Sequence, residues 1–191
     1  MAFLRAPLRP VFLWAEKQQV LHEVSLVRRQ HLDAFRAIHE NALRLAADSS
    51  YQLVFLHYNI PHPYGIFDRN THQYSMSDSA DYICNLLLMD RAIGEIRSSL
   101  DAKTSLLVMS DHSFRPQIWN NRQTASREMV ALVPGDQDLR IVFALHVAGQ
   151  ETPVSCETPF NTIVAHALAL EISQGHIRSA SDAEAWIDAH R

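Results

Sequence analysis

Positive charge, cysteine and apolar length are all in short supply in this sequence. Seventeen Lys and Arg stand against 21 Asp and Glu, for a formal net charge of −4. A chain with no basic excess has little with which to neutralise phosphates along a duplex, which argues against a nucleic-acid binder. The two cysteines, Cys84 and Cys156, form neither a spaced metal pair nor a disulfide framework, and they leave the redox compartment open. No apolar run approaches the roughly 20 residues of a membrane span. Residues 1–14 are broken by Arg5, Pro7, Arg9 and Pro10, so they lack the apolar stretch and small-residue cleavage site of a signal peptide. Localisation is therefore not set by any address in this chain.

What is present is an ordinary globular composition. Hydrophobic residues make up 47% and charged residues 20% of 191 positions, enough for a single domain with a real core. Residues 1–14 read as an irregular arm, and no repeat or linker divides the rest. Histidine is the outlier, with 11 copies, pointing to metal or acid–base chemistry or to a surface that tolerates imidazole.

Val20, Val24, Val27, Phe35, Ile38 and Leu45 recur near helical spacing and predict one long helix, or two in line, over residues 15–48. The β-rich apolar run Tyr51–His57 predicts a buried strand. Pro61, Pro63 and Gly65 then predict a loop, continued by polar residues to Ser79; a loop this long in a compact domain is more often functional than idle. A second helix is expected over residues 79–100, capped by Asp78 or Ser77. Further strands are expected at residues 104–110, 128–133 and 139–147, and helices at residues 158–172 and 181–190. Alternating strands and helices imply an α/β domain with a largely parallel sheet flanked by helices.

In such sheets ligands bind beyond the carboxyl ends of the strands. The first strand would deliver His57 and, five residues on, His62; the second would deliver Asp111 and His112. Parallel strands would gather all four at one sheet edge. A carboxylate beside an imidazole suits a divalent cation, which could polarise a phosphoryl or sulfuryl oxygen. His22, His31 and His39 share no helical face well and read as solvated surface. His166, in an apolar helical run, reads as an interior or boundary histidine. Asp90 reads as helix surface, and Trp119 either stacks on a substrate or anchors its loop.

The wording around these pairs adds a family likeness. Leu53–Tyr64, with its His-x-x-x-Pro-His-Pro, and Leu106–Arg115, with its Ser-Asp-His, resemble segments of sulfatase-like enzymes in the alkaline phosphatase superfamily. Tyr82–Leu100, with Asp90 and Gly94, is similar to the helix these families place between them. Arg127–Gly135 resembles a later strand ending in a Pro-Gly turn, and Thr158–Leu170 the closing Thr-rich helix. The resemblance implies an alkaline-phosphatase/sulfatase-like fold in which Asp111 and His112 bind a divalent metal ion (Zn, Mn, Ca or Mg). It also implies that His62 contacts the ester or protonates its leaving group. His57 would line the pocket. Arg115 would face an anionic substrate, with a plain surface arginine as the alternative. Implied substrates are small-molecule, lipid or glycan esters of sulfate or phosphate, and relatives often act outside the cytoplasm.

The sequence also departs from that pattern. Nothing before Tyr51 resembles the nucleophile-bearing start of such a domain, and neither Cys-x-Pro-x-Arg nor Ser-x-Pro-x-Arg occurs. The chain therefore resembles the carboxyl-terminal half, as a fragment or a short relative. Two ligands hold a catalytic metal poorly and the covalent route lacks its nucleophile, so little hydrolase activity is expected of these residues alone. The alternative is a non-catalytic paralogue acting as a binding or assembly module. An incomplete sheet would also leave an open edge, predicting self-association.

Overall fold

The structure is a computed structural model that describes residues 9–62, 64–77, 80–114, 140–156 and 158–190. Among these residues there are four α-helices: α1 (Arg9–Ala46), α2 (Tyr82–Ser99), α3 (Ala165–Ser173) and α4 (Ala180–His190). Four short strands accompany them: β1 (Phe67–Asp68), β2 (Gln73–Tyr74), β3 (Leu106–Met109) and β4 (Phe143–His146). The strands form two separate two-stranded antiparallel sheets, β1 with β2 and β3 with β4. The largely parallel, alkaline-phosphatase/sulfatase-like sheet expected from the sequence is not what forms. No described helix is long and apolar enough to cross a membrane.

The reason lies in the run at Tyr51–His57, which was to be a strand of that sheet. Among the described residues it joins no ladder, and Leu53 and Phe55 are 66% and 87% exposed. A strand needs a neighbour for its N–H and C=O groups, and apolar composition does not supply one. β3 instead pairs with β4, Leu106 opposite His146 and Met109 opposite Phe143. The strand expected at residues 128–133 lies outside the described residues.

The described residues divide into two compact units: those within 9–40 and 57–92 in the first, and those within 41–56, 93–114 and 140–190 in the second. The core of the first joins Leu32 and Phe35 of α1 to Ile60, Ile66, Phe67, Leu88 and Ala92, with Tyr58 and Met89 packed against it. Each buried Leu, Ile or Phe side chain among them contributes about 1.5–3 kcal/mol relative to exposure. The buried stripe of α1 is Arg28, Leu32, Phe35 and Ala42, with His39 half-buried on the same face. This differs from the apolar positions picked out in sequence, since Val27 is 38% exposed. Polar tips decide the matter: Arg28 Nη1 donates to the Met76 carbonyl at 2.8 Å, and His39 Nδ1 lies 2.9 Å from the Tyr58 hydroxyl. Phe35 stacks on His39 with ring centroids 5.5 Å apart. The buried face of α2 repeats every fourth residue, Cys84, Leu88, Ala92 and Ile96. α2 starts at Tyr82 and its cap is Asp81, not Asp78 or Ser77; Asp81 Oδ1 accepts the Cys84 N–H at 3.0 Å.

The β1–β2 hairpin interrupts the expected polar loop. Asp68 Oδ1 accepts the Asn70 and Thr71 N–H groups at 2.8 and 3.3 Å, and His72 takes a φ of 54°, so four polar residues close the turn.

In the second unit Leu168, Ile177, Ala183 and Ile187 form the core, joined by Phe143 and Leu145 of β4, Phe160, Ile172 and Trp186. α3 ends in a Schellman arrangement. The Gly175 and His176 N–H groups reach the Ile172 and Glu171 carbonyls, both at 3.0 Å, while Gly175 takes the positive φ of 74° that the turn requires. α4 opens on reciprocal capping: the Ser179 hydroxyl accepts the Asp182 N–H at 3.1 Å, and the Asp182 carboxylate accepts the Arg178 N–H at 3.0 Å.

Candidate functional site

β3 carries the chain into the Asp111–His112 pair. Its pairing with β4 continues one residue further, the Ser110 N–H bonding the Val142 carbonyl at 3.1 Å. The chain then folds back on itself, with the Ser110 hydroxyl donating to the His112 carbonyl at 2.7 Å. The His112 ring sits 2.7 Å by Nδ1 from the Ser113 carbonyl. A carbonyl only accepts, so Nδ1 carries a proton and Nε2 is the ring nitrogen on the Asp111 side. That nitrogen lies 3.9 Å from Asp111 Oδ1, too far for a hydrogen bond. Two donors bound at about 2.0–2.1 Å to a tetrahedral zinc sit ~3.4 Å apart, so the pair would have to close slightly to share one ion. The donor chemistry, one hard carboxylate oxygen and one imidazole nitrogen, suits zinc or manganese. A backbone acceptor on the far ring nitrogen is the usual orienting contact of a metal-bound histidine. The Asp111 side chain is 74% exposed, so an ion has a path in. Among the described residues, however, no group of three or more His, Cys, Asp or Glu is arranged to hold a metal.

His57 and His62 fall in the first unit, Asp111 and His112 in the second. His57 is exposed and is not at the mouth of a buried strand. His62 is also exposed, but its backbone is held: Asn85 Nδ2 donates to the His62 carbonyl at 3.0 Å and to the Tyr64 carbonyl at 3.3 Å. Asn85 Oδ1 accepts the Ile66 N–H at 2.9 Å. Gly65 meets the Ala80–Asp81 backbone so closely that a Cβ has no room. From α1, the His31 carbonyl accepts from Asn59 Nδ2 at 3.1 Å, and the Arg28 guanidinium lies 5.7 Å from the Tyr64 ring centroid. Arg115 and Trp119 lie outside the described residues.

Several histidines read differently in three dimensions. His31 and His39, expected to be solvated, are half-buried. Burial pushes the His31 imidazole below its ordinary value of 6.5; the Tyr64 carbonyl opposes this, and the neighbouring His62 ring adds to it. His166, expected inside, is exposed, while Asp90 is exposed as expected. Asn85 was missed altogether, because a polar residue in an apolar helix is normally assigned to the solvent face. The one available signal was its place in the helical phase beside Cys84 and Leu88. Compared with family models, curated proteins and solved structures, the chain matches none.

Proposed function

We propose that the chain contributes to metal-assisted hydrolysis or transfer of sulfate or phosphate esters. Asp111 and His112, within the second unit, hold the divalent cation; the resemblance gives His62, within the first, the role of contacting the ester or protonating its leaving group. The observation that carries this reading is the turn after β3, where the Ser113 carbonyl fixes the proton of His112 on Nδ1 and leaves Nε2 beside the Asp111 carboxylate. A divalent cation there would polarise a phosphoryl or sulfuryl oxygen. An exposed imidazole is suited to donating a proton to a departing oxygen. Substrates of this chemistry are small-molecule, lipid or glycan esters.

Calorimetric titration of the full chain with Zn, Mn, Ca and Mg tests it. Binding of at least one ion, abolished by both Asp111→Ala and His112→Ala, is expected. A silent thermogram with all four, or binding that survives both substitutions, overturns it.

A second reading, a non-catalytic assembly module, is favoured by the side chains of Tyr51, Leu53 and Phe55, which are 51%, 66% and 87% exposed along one run outside helix and strand. Alternate exposed apolar residues on unladdered backbone are suited to pairing with a second copy. Light scattering across concentrations distinguishes it: self-association lost in Phe55→Lys supports this module, and a sharp monomer at every concentration removes it.

A further inference from the structure

Asn85 has none of its surface exposed, and both ends of its amide are used on one short stretch of chain. Oδ1 takes the Ile66 N–H at 2.9 Å; Nδ2 gives to the His62 and Tyr64 carbonyls at 3.0 and 3.3 Å. The orientation of the amide is fixed by chemistry, because only oxygen can accept from an N–H and only nitrogen can donate to two carbonyls. The residues it holds, His62, Tyr64 and Ile66, belong to neither helix nor strand, and β1 begins at Phe67. They therefore have no ladder of their own to fix their shape. Asn85 supplies a substitute ladder from the second turn of α2. Asp81, itself buried, caps that helix and accepts the Asn85 N–H on its carbonyl at 3.1 Å, so the clamp is anchored at its base. Gly65 closes the contact from the other side, pressed on the Ala80–Asp81 backbone. The result is a backbone held from within and an imidazole displayed at the surface.

We propose that Asn85 is the positioning residue for His62: it sets the backbone that carries the ring and so sets where the ring meets an ester oxygen. This rests on the reading of His62 as the ester-contacting group. Proton transfer needs heavy atoms about 2.6–3.2 Å apart, and a displacement of ~1 Å costs on the order of a hundredfold in rate, so a clamp on the backbone is worth having. An ordinary core asparagine is not required to spend all three bonds on one loop; it can bond its own helix or a water.

Asn85→Asp tests this in the full chain. The substitution is nearly isosteric, keeps an acceptor for the Ile66 N–H and removes the donor to both carbonyls. With isotope-labelled histidine, the His62 ring resonances are expected to shift and broaden, while those of His176 and His190 in the second unit stay in place. Unchanged His62 signals in folded Asn85→Asp protein overturn the proposal. So does an equal displacement of all three histidines, which marks a general structural role. Should the variant not fold, amide exchange of the unsubstituted chain decides: Ile66 is expected to exchange at least about a hundredfold more slowly than an unstructured amide, and exchange at the unstructured rate overturns the clamp. Titrating the unsubstituted chain with inorganic phosphate and sulfate separates the two claims. If Asn85→Asp moves the His62 ring but neither anion does, the positioning role stands and the ester-contact reading falls.

Discussion

Two glycine-to-alanine substitutions are expected to move stability in opposite directions. At Gly65 an added Cβ would meet the Ala80 carbonyl group and the Asp81 nitrogen. These are main-chain atoms at the start of α2, so no rotamer change relieves the overlap. Overpacking a tight interior costs about 1–3 kcal/mol and more where the backbone must shift, and the cost here belongs at or above the top of that range. The smaller entropy of the unfolded alanine chain returns only about 0.4–1 kcal/mol. At Gly94, within α2, nothing lies within 4 Å of the new Cβ. There alanine brings its better helix propensity without a clash, a gain of roughly 0.5–1 kcal/mol. Urea unfolding of both variants beside the unsubstituted chain checks this, with midpoints compared at equal slopes. A Gly65→Ala protein of unchanged or greater stability would mean that the loop bearing His62 is not seated on α2 as described. A Gly94→Ala loss would mean that α2 is not a regular helix at that point.

Other outcomes follow from the same contacts. Leu168→Ala, at a fully buried site of the second core, is expected to cost about 2–5 kcal/mol in denaturant unfolding, and a change below ~1 kcal/mol would mean that the site is not packed. His31 has a lowered pKa, caused first by burial, so the folded state resists the proton that the unfolded state takes up. The unfolded state then binds more protons just below the ordinary value of 6.5, and stability is present above that pH and is lost as pH falls through it. Unfolding midpoints of the unsubstituted chain and His31→Gln at about pH 7.5 and about pH 5.5 check the sign; an equal acid loss in the two proteins would assign the effect to other groups.

How much of this was legible in the sequence depends on whether the information is local. α1, α2 and α4 announce themselves through helical periodicity, which each segment carries alone. The Asp111–His112 pair is legible because its members are neighbours in the chain. The sheet is not: Tyr51–His57 and Leu106–Met109 look alike as apolar runs, yet among the described residues only the second finds a strand partner, and that partner, β4, lies more than thirty residues away and runs antiparallel. The two-residue strands of the β1–β2 hairpin are shorter than any alternation that could be detected. Buried polar residues are hidden for a different reason. Arg28 and Asn85 look solvent-bound until their backbone partners, 48 and 19 to 23 residues distant, are known.

The polar tips along the inner face of α1 have a consequence for how that helix finds its seat. A stripe of Leu32 and Phe35 alone could slide by a turn, about 5.4 Å, and still bury comparable hydrocarbon. Arg28 and His39 do not permit the slip. Moving α1 by one turn would pull the guanidinium from the Met76 oxygen and the imidazole from the Tyr58 hydroxyl, stranding both in apolar surroundings. The two side chains thus act as a notch and key, trading a little driving force for a single allowed seating.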